Sequence, residues 1–337
     1  MPDTGNSWPE HQETKSPETF QIFHMSKSDN QGQITPGMFR PAFWPTWSAL
    51  FCLWLLMRLP RVWLMRVGGW LGDWLRHRNH KRRHIARINL ELCFPDISDR
   101  HREQLLIEHF RYQARGLIDL GLACMGSRQQ LARYHEIQGI EHITGNLGDS
   151  GVIVIGFHSI SMEMAAASLL SDIPLVSMMK RDSNPVINRF LYRSRTRFRK
   201  AEVYMRDQGL RGIVRGVRQG KACYLVPDED YGDSSHTVFA PFFGEPKSTL
   251  TTVSRLAIKT GALVVACFCI LDGKTGNYKS VIRQPLGDFS KHDEVENAKR
   301  INQAAEELIR LAPEQYMWTF KLFRTRPNGG ADPYRQS

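Results

Sequence analysis

Residues 151–163 read Gly-Val-Ile-Val-Ile-Gly-Phe-His-Ser-Ile-Ser-Met-Glu, and the fold follows from how they are parsed. Gly151–Phe157 is an unbroken apolar run of strand length, rich in β-branched side chains. A strand that is apolar on both sides is buried on both sides, as in a parallel sheet held between helices. Beyond His158 the pattern turns helical from about Ser161 to Leu170.

The same alternation extends outward. Ile173–Met179 reads as a strand and Pro185–Arg199 as a helix. Residues 201–205 and 222–227 are further strands, separated by a helix over Leu210–Gln219. Ser248–Thr260 reads as a helix and Ala262–Leu271 as a long buried strand. Near the end, Ile301, Ala304, Ala305, Leu308, Ile309 and Ala312 keep the 3.6-residue period, and upstream Asp99–Gly126 does likewise. The expectation is an α/β protein with a mostly parallel sheet flanked by helices. At 337 residues, the chain fits one large domain with extra segments.

Those extra segments lie at the ends. Residues 1–38 are polar and read as a tail, and no cleavable secretory signal is expected. Pro41–Met57 then carries no charge over seventeen residues, about 26 Å if helical. Six of the eight tryptophans (Trp44, Trp47, Trp54, Trp63, Trp70, Trp74) fall within residues 44–74, and tryptophan favours the membrane–water boundary. Residues 39–75 are therefore expected to be a membrane anchor helix, either a short span or a deep interfacial anchor. The following basic cluster (Arg76, Arg78, Lys81, Arg82, Arg83, Arg87) belongs on the cytoplasmic side, against anionic headgroups of an inner membrane. That leaves 76–330 as a cytoplasmic domain and 331–337 as a second tail.

Lys and Arg number 45 against 34 Asp and Glu, a net charge of +11, which points to an anionic partner. The aromatics cluster in the anchor and do not interleave with the arginines, so nucleic acid is not the expected partner. None of the six cysteines forms a CxxC pair, which argues for a reducing compartment and against a zinc ribbon. The absence of GxSxG, HExxH, GxGxxG and Walker A patterns removes serine hydrolase, zincin and nucleotide-cofactor chemistry, and neither cofactor nor metal is indicated.

Ligands of such sheets collect beyond the carboxyl ends of the strands. His158 follows the first strand directly, and Glu163 comes five residues later. With His158 in the strand-to-helix turn and Glu163 in the first helical turn, the two can meet as an imidazole–carboxylate pair able to take a proton from a hydroxyl near pH 7. Ser159 or Ser161 is the expected helix cap. Pro227–Gly232 sets Asp228, Glu229 and Asp230 just past another strand, as a cation site, a solvated turn or a brace for basic groups. Arg189, Arg193, Arg195, Arg197 and Arg199, then Arg206, Arg211, Arg215, Arg218 and Lys221, form a basic band suited to phosphate.

Taken together, these segments resemble the late acyltransferases of lipid A biosynthesis, the lauroyl and myristoyl transferases of Gram-negative inner membranes. The likeness is carried by Arg87–Pro95 (RINLELCFP), the His158/Glu163 pair, Met178–Pro185 (MMKRDSNP), Pro227–Gly232 with Ala240–Gly244 (APFFG), and Ala312–Trp318 running on to Arg324–Pro327. It spans roughly residues 40–335. The resemblance implies a glycerolipid-acyltransferase-like fold and a catalytic His158 and Glu163, with His158 held by Glu163. The implied donor is an acyl thioester on acyl carrier protein, and the implied acceptor a phosphorylated Kdo-lipid IVA type disaccharide whose hydroxyacyl 3-hydroxyl is acylated. Features of both the lauroyl and myristoyl branches are present; the His-x4-Glu pair and Tyr231-Gly232 lean to the lauroyl branch. The alternatives are myristoyl or hydroxyacyl transfer to a penta-acylated precursor, or acylation of a glycerolipid or amino lipid. Substrate-binding residues would be Lys180 and Arg181, one of them in the basic position before Asn-Pro, together with Asn184, Arg195, Arg199, Asp228 and Asp230.

Overall fold

The computed structural model describes residues 32–148, 150–198 and 201–335. Seven strands form one sheet: β1 (His135–Gln138), β2 (Val152–Gly156), β3 (Leu175–Met179), β4 (Ala201–Met205), β5 (Ala222–Leu225), β8 (Leu263–Leu271) and β9 (Tyr278–Ile282). Their order is β1-β9-β8-β2-β5-β3-β4. The block from β8 to β4 is parallel, whereas β9 runs antiparallel to β8 and carries β1 with it. A separate hairpin, β6 (Thr237–Phe242) with β7 (Glu245–Leu250), stands outside this sheet. The expected α/β class and mostly parallel sheet are observed.

Side-chain alternation along β2 divides the core. Val152 and Val154 pack into one cluster with Ala165, Leu169 and Leu122, whereas Ile153 and Ile155 enter the other with Val217, Leu256 and Leu308. The first cluster is covered by α7 (Met162–Asp172) and α4 (Asp99–Met125), and the second by α9 (Arg211–Arg218), α10 (Thr252–Thr260) and α11 (Glu294–Ile309). Both faces of the sheet are thus dry, which is why β2 reads as a continuous apolar run.

The expected membrane-spanning anchor is not found, and no helix among the described residues is long and apolar enough to cross a membrane. The uncharged run begins with a 3-10 turn, Pro41–Phe43, and only α1 (Trp44–Leu56) is α-helical, at 13 residues. That is about 20 Å, against a hydrocarbon core of about 30 Å. The chain then turns before Pro60 into α2 (Arg61–Arg78), which contains Arg66 and Asp73. α1 lies on α4, where Gly121 meets the Leu53 carbonyl and Met57, and α2 packs along α4 so closely that a side chain at Gly72 would collide with the Arg111 backbone. Buried Asp119 of α4 ties the pair down, accepting two hydrogen bonds from Arg61 at 2.6 Å and one from Tyr278. The outcome is a helical hairpin clasped to the domain, with Trp63 61% and Trp70 72% exposed.

Three further differences concern segments read from pattern alone. Ser248–Leu250 belongs to β7, so the helix expected from Ser248 starts at Thr252. The basic cluster is partly structural: Arg76 and Arg87 pair with Glu103, and Arg82 donates to the Thr319 carbonyl. In the expected second tail, Tyr334 is buried, its hydroxyl donating to Asn89 and accepting from the Phe323 amide. Of the expected first tail, residues 1–31 lie outside the described residues, and Met38 is buried.

Candidate active site

The carboxyl ends of β2, β5 and β3 open into a cavity of about 540 Å³. β2 delivers His158, β5 the Asp228–Asp230 turn, and β3 Lys180. Its walls are mainly apolar, with Met162, Leu170, Met178, Leu225, Leu210 and Val253 among them, while His158, Glu163, Lys180, Arg195, Arg206, Glu229, Tyr231 and His236 are among the polar groups.

His158 sits in the turn between β2 and α7, and Glu163 in the first turn of α7, as their spacing predicts. The imidazole's carboxylate partner is nevertheless Asp228. His158 Nδ1 and Asp228 Oδ1 are 2.6 Å apart, and the His158 amide donates to Asp228 Oδ2 at 2.8 Å. Glu163 instead accepts from Arg195 of α8 (Pro185–Thr196) at 2.6 Å. Two ion-paired units therefore line one cavity, in place of a single His158–Glu163 pair. The reason is register. β2 and β5 are neighbours with Ile155 opposite Leu225, so His158 and Asp228, each three residues further on, leave the sheet side by side. Phe320 packs edge-on against the imidazole at 5.0 Å, and Glu229 Oε1 lies 3.5 Å from Nε2.

Electrostatics follow from these contacts. Burial alone would lower the His158 pKa, but the charge and hydrogen bond of Asp228, with Glu229 and Glu163 further off, outweigh it and raise the value. Burial likewise opposes ionisation of Asp228, and the same pairing overcomes it to bring that pKa down. Glu163 raises Arg195 against its own burial. Neither Ser159 nor Ser161 caps α7; their hydroxyls are buried without a hydrogen-bond partner.

The other expected site residues divide. Lys180 and Arg195 line the cavity. Arg181 points away, 3.6 Å from Asp207 at the surface. Asn184 caps α8 through the amides of Val186 and Ile187 and donates to Thr46 of α1, so it braces the hairpin against the domain. Asp230 accepts from the amide and hydroxyl of Thr325 and from the Gly232 amide, pinning the carboxyl-terminal segment. Arg199 lies outside the described residues. Arg206 and Tyr231, stacked 5.0 Å apart at the cavity wall, were not singled out as site residues, although Arg206 stood in the basic band. Among the described residues there is no group of three or more His, Cys, Asp or Glu placed to hold a metal ion; within the acidic turn, Asp228 holds His158 and Asp230 holds Thr325.

Residues 34–325 match the family described as bacterial lipid A biosynthesis acyltransferase. The chain belongs to this family. It is 30% identical over 307 residues to the lipid A biosynthesis lauroyltransferase of Escherichia coli, covering 90% of this chain and 99% of the relative. The palmitoleoyltransferase of the same organism is 31% identical over 87% of this chain and 95% of its own length, and the myristoyltransferase 28% identical over 88% and 92%. As a member of that family the protein is an acyltransferase.

Proposed function

We propose that the protein transfers a lauroyl-type chain from an acyl carrier protein thioester to the 3-hydroxyl of a hydroxyacyl group on a Kdo-lipid IVA type disaccharide. The observation that carries this reading is His158, fixed by Asp228 at the end of a largely apolar cavity whose other polar wall is Glu163–Arg195. With its Nδ1 proton donated to Asp228, His158 keeps the Nε2 lone pair free. Nε2 takes the acceptor hydroxyl proton as the oxygen attacks the thioester carbonyl. The C–O bond forms, negative charge gathers on the carbonyl oxygen, and Arg195, Lys180 and Arg206 of the cavity wall are the cations available to meet it. Collapse breaks the C–S bond, and the thiolate leaves with the proton from the imidazolium. Asp228 remains ionised throughout, and Glu163 sets the position of Arg195.

The same reading places the protein at the cytoplasmic face of the inner membrane, lying on the surface. The exposed Trp44, Trp54, Trp63, Trp70 and Trp74 of the α1–α2 hairpin suit an interfacial attachment, and the arginines and lysines beside it suit anionic headgroups. The experiment is acylation of the purified disaccharide with twelve- and fourteen-carbon saturated and sixteen-carbon monounsaturated carrier thioesters, read by mass spectrometry. A single added acyl group, transferred fastest from the twelve-carbon donor, is expected. Failure to acylate the disaccharide with any thioester, or equal acylation of glycerol-based lipids, would overturn the proposal.

A further inference from the structure

A lysine stands where the apolar core would be expected to hold a leucine or methionine. Lys247, in the middle of β7, is 1% exposed. Its Nζ lies 3.3 Å from the Ser248 carbonyl and 3.5 Å from the Glu229 carbonyl, and 5.9 Å from the centre of the Phe242 ring. An ammonium removed from water is expensive unless charge nearby compensates it. Here the compensating charge is the active-site turn itself: Asp228, Glu229 and Asp230 all favour the protonated amine, against a burial that lowers its pKa. The nearby Cys93 thiol is held well above its ordinary pKa by burial.

On the other side of the turn, His158 faces Asp228, Glu229 and Glu163. Left alone, three carboxylates would bias the imidazole strongly toward its cation, which cannot act as a base. Each of the two units has a cation opposed to its carboxylate: Arg195 binds Glu163, and Lys247 acts on Asp228. Resting on the acyl-transfer reading given above, we propose that Lys247 is a positioning residue: its buried ammonium seats the Asp228–Asp230 turn through the Glu229 carbonyl and offsets the turn's negative charge, keeping His158 available as a base. The amine touches no substrate and lies outside the cavity wall.

The proposal has a sign. Removing the positive charge makes the coupled His158–Asp228 pair hold its proton more tightly. In Lys247→Met, similar in length and uncharged, the acidic limb of the kcat/KM profile is expected to move to higher pH by about one unit. Titration of the His158 ring by NMR, which needs no substrate, is expected to show the same upward shift. A purely structural lysine would lower kcat and leave both midpoints in place, and that result would overturn the proposal. Lys247→Gln keeps a polar end of similar length without the charge; both midpoints are expected to move up in it too, and this variant decides the matter if Lys247→Met does not fold. An unmoved ring titration in the folded Lys247→Gln protein would also overturn it. Shifted ring titrations in a protein that acylates nothing would leave Lys247 as proposed and refute the acyl-transfer reading instead.

Discussion

Asp228→Asn is the sharpest test of how the site is built. The change keeps size and leaves an amide oxygen for the His158 backbone N–H, now 2.8 Å from Oδ2. What fails is the second contact, 2.6 Å between Oδ1 and Nδ1. The amide nitrogen, facing Nδ1, favours the tautomer with its proton on Nε2, so the lone pair turns away from the cavity. Hydrogen bonds to charged groups are worth about 1.5–3 kcal/mol, and each 1.36 kcal/mol is tenfold in rate, so loss of imidazolium stabilisation alone accounts for about 10- to 150-fold. Adding the wrong tautomer, the expected fall in kcat is about 10²–10⁴-fold. The assay is single-turnover acylation across pH. The acidic limb should also drop, because burial, which lowers the His158 pKa, is no longer outweighed by Asp228. Linkage gives an independent check. The raised His158 pKa stabilises the fold fully below its unfolded value and is lost as pH rises through the folded one, whereas the lowered Asp228 pKa stabilises above its unfolded value and is lost as pH falls through the folded one. The stability gap to the variant is therefore widest between those two titrations. Turnover within threefold of wild type with an unmoved acidic limb would refute Asp228 as the orienting carboxylate.

Glu163→Gln removes the charge that holds Arg195 and is expected to lower kcat at least tenfold while leaving the His158 titration above its ordinary value; collapse of that titration would mean that Glu163, and not Asp228, controls the imidazole. Replacing Trp63 and Trp70 together with Ser should weaken sedimentation with anionic vesicles without changing the melting temperature, and undiminished binding would remove the hairpin as the attachment. Arg61→Ala strands Asp119, whose side chain is 2% exposed, and should destabilise the protein by about 3–5 kcal/mol in denaturant titration; a loss under 1 kcal/mol would show that the carboxylate finds water or protonates.

The central sheet was legible because β2, β5 and β8 are buried on both faces and apolar without interruption, and β3 is broken only by a buried Ser177. β1 and β9 were not: His135, Glu136, Lys279 and Ser280 interrupt any apolar run, and they become strands only by pairing with each other and with β8. The β6–β7 hairpin was hidden for a related reason, since its pattern carries Pro241, Pro246 and a buried lysine. His158 and Glu163 were found from their place after a strand, yet their partners were not. Pairing His158 with Asp228 requires knowing that β2 and β5 are neighbours, a fact of strand order that spacing along the chain does not contain. The spanning length was misjudged because an uncharged run measures hydrophobicity over its full length, whereas the 3-10 turn at Pro41–Phe43 and the end of α1 at Leu56 shorten the helix that remains.

The segment 313–334 gives the site an order of assembly. It supplies Phe320 against the imidazole, the Met317 amide that donates to the His158 carbonyl at 2.8 Å, and Thr325, which Asp230 holds, while Tyr334 closes onto Asn89 in the helix His80–Cys93. Every strand of the sheet precedes these residues. During synthesis, then, the scaffold is complete before the wall behind His158 exists, and a chain interrupted after α11 would carry a finished sheet with an unfinished active site. The wall behind His158 thus waits on residues 313–334, which follow every strand that carries the rest of the site.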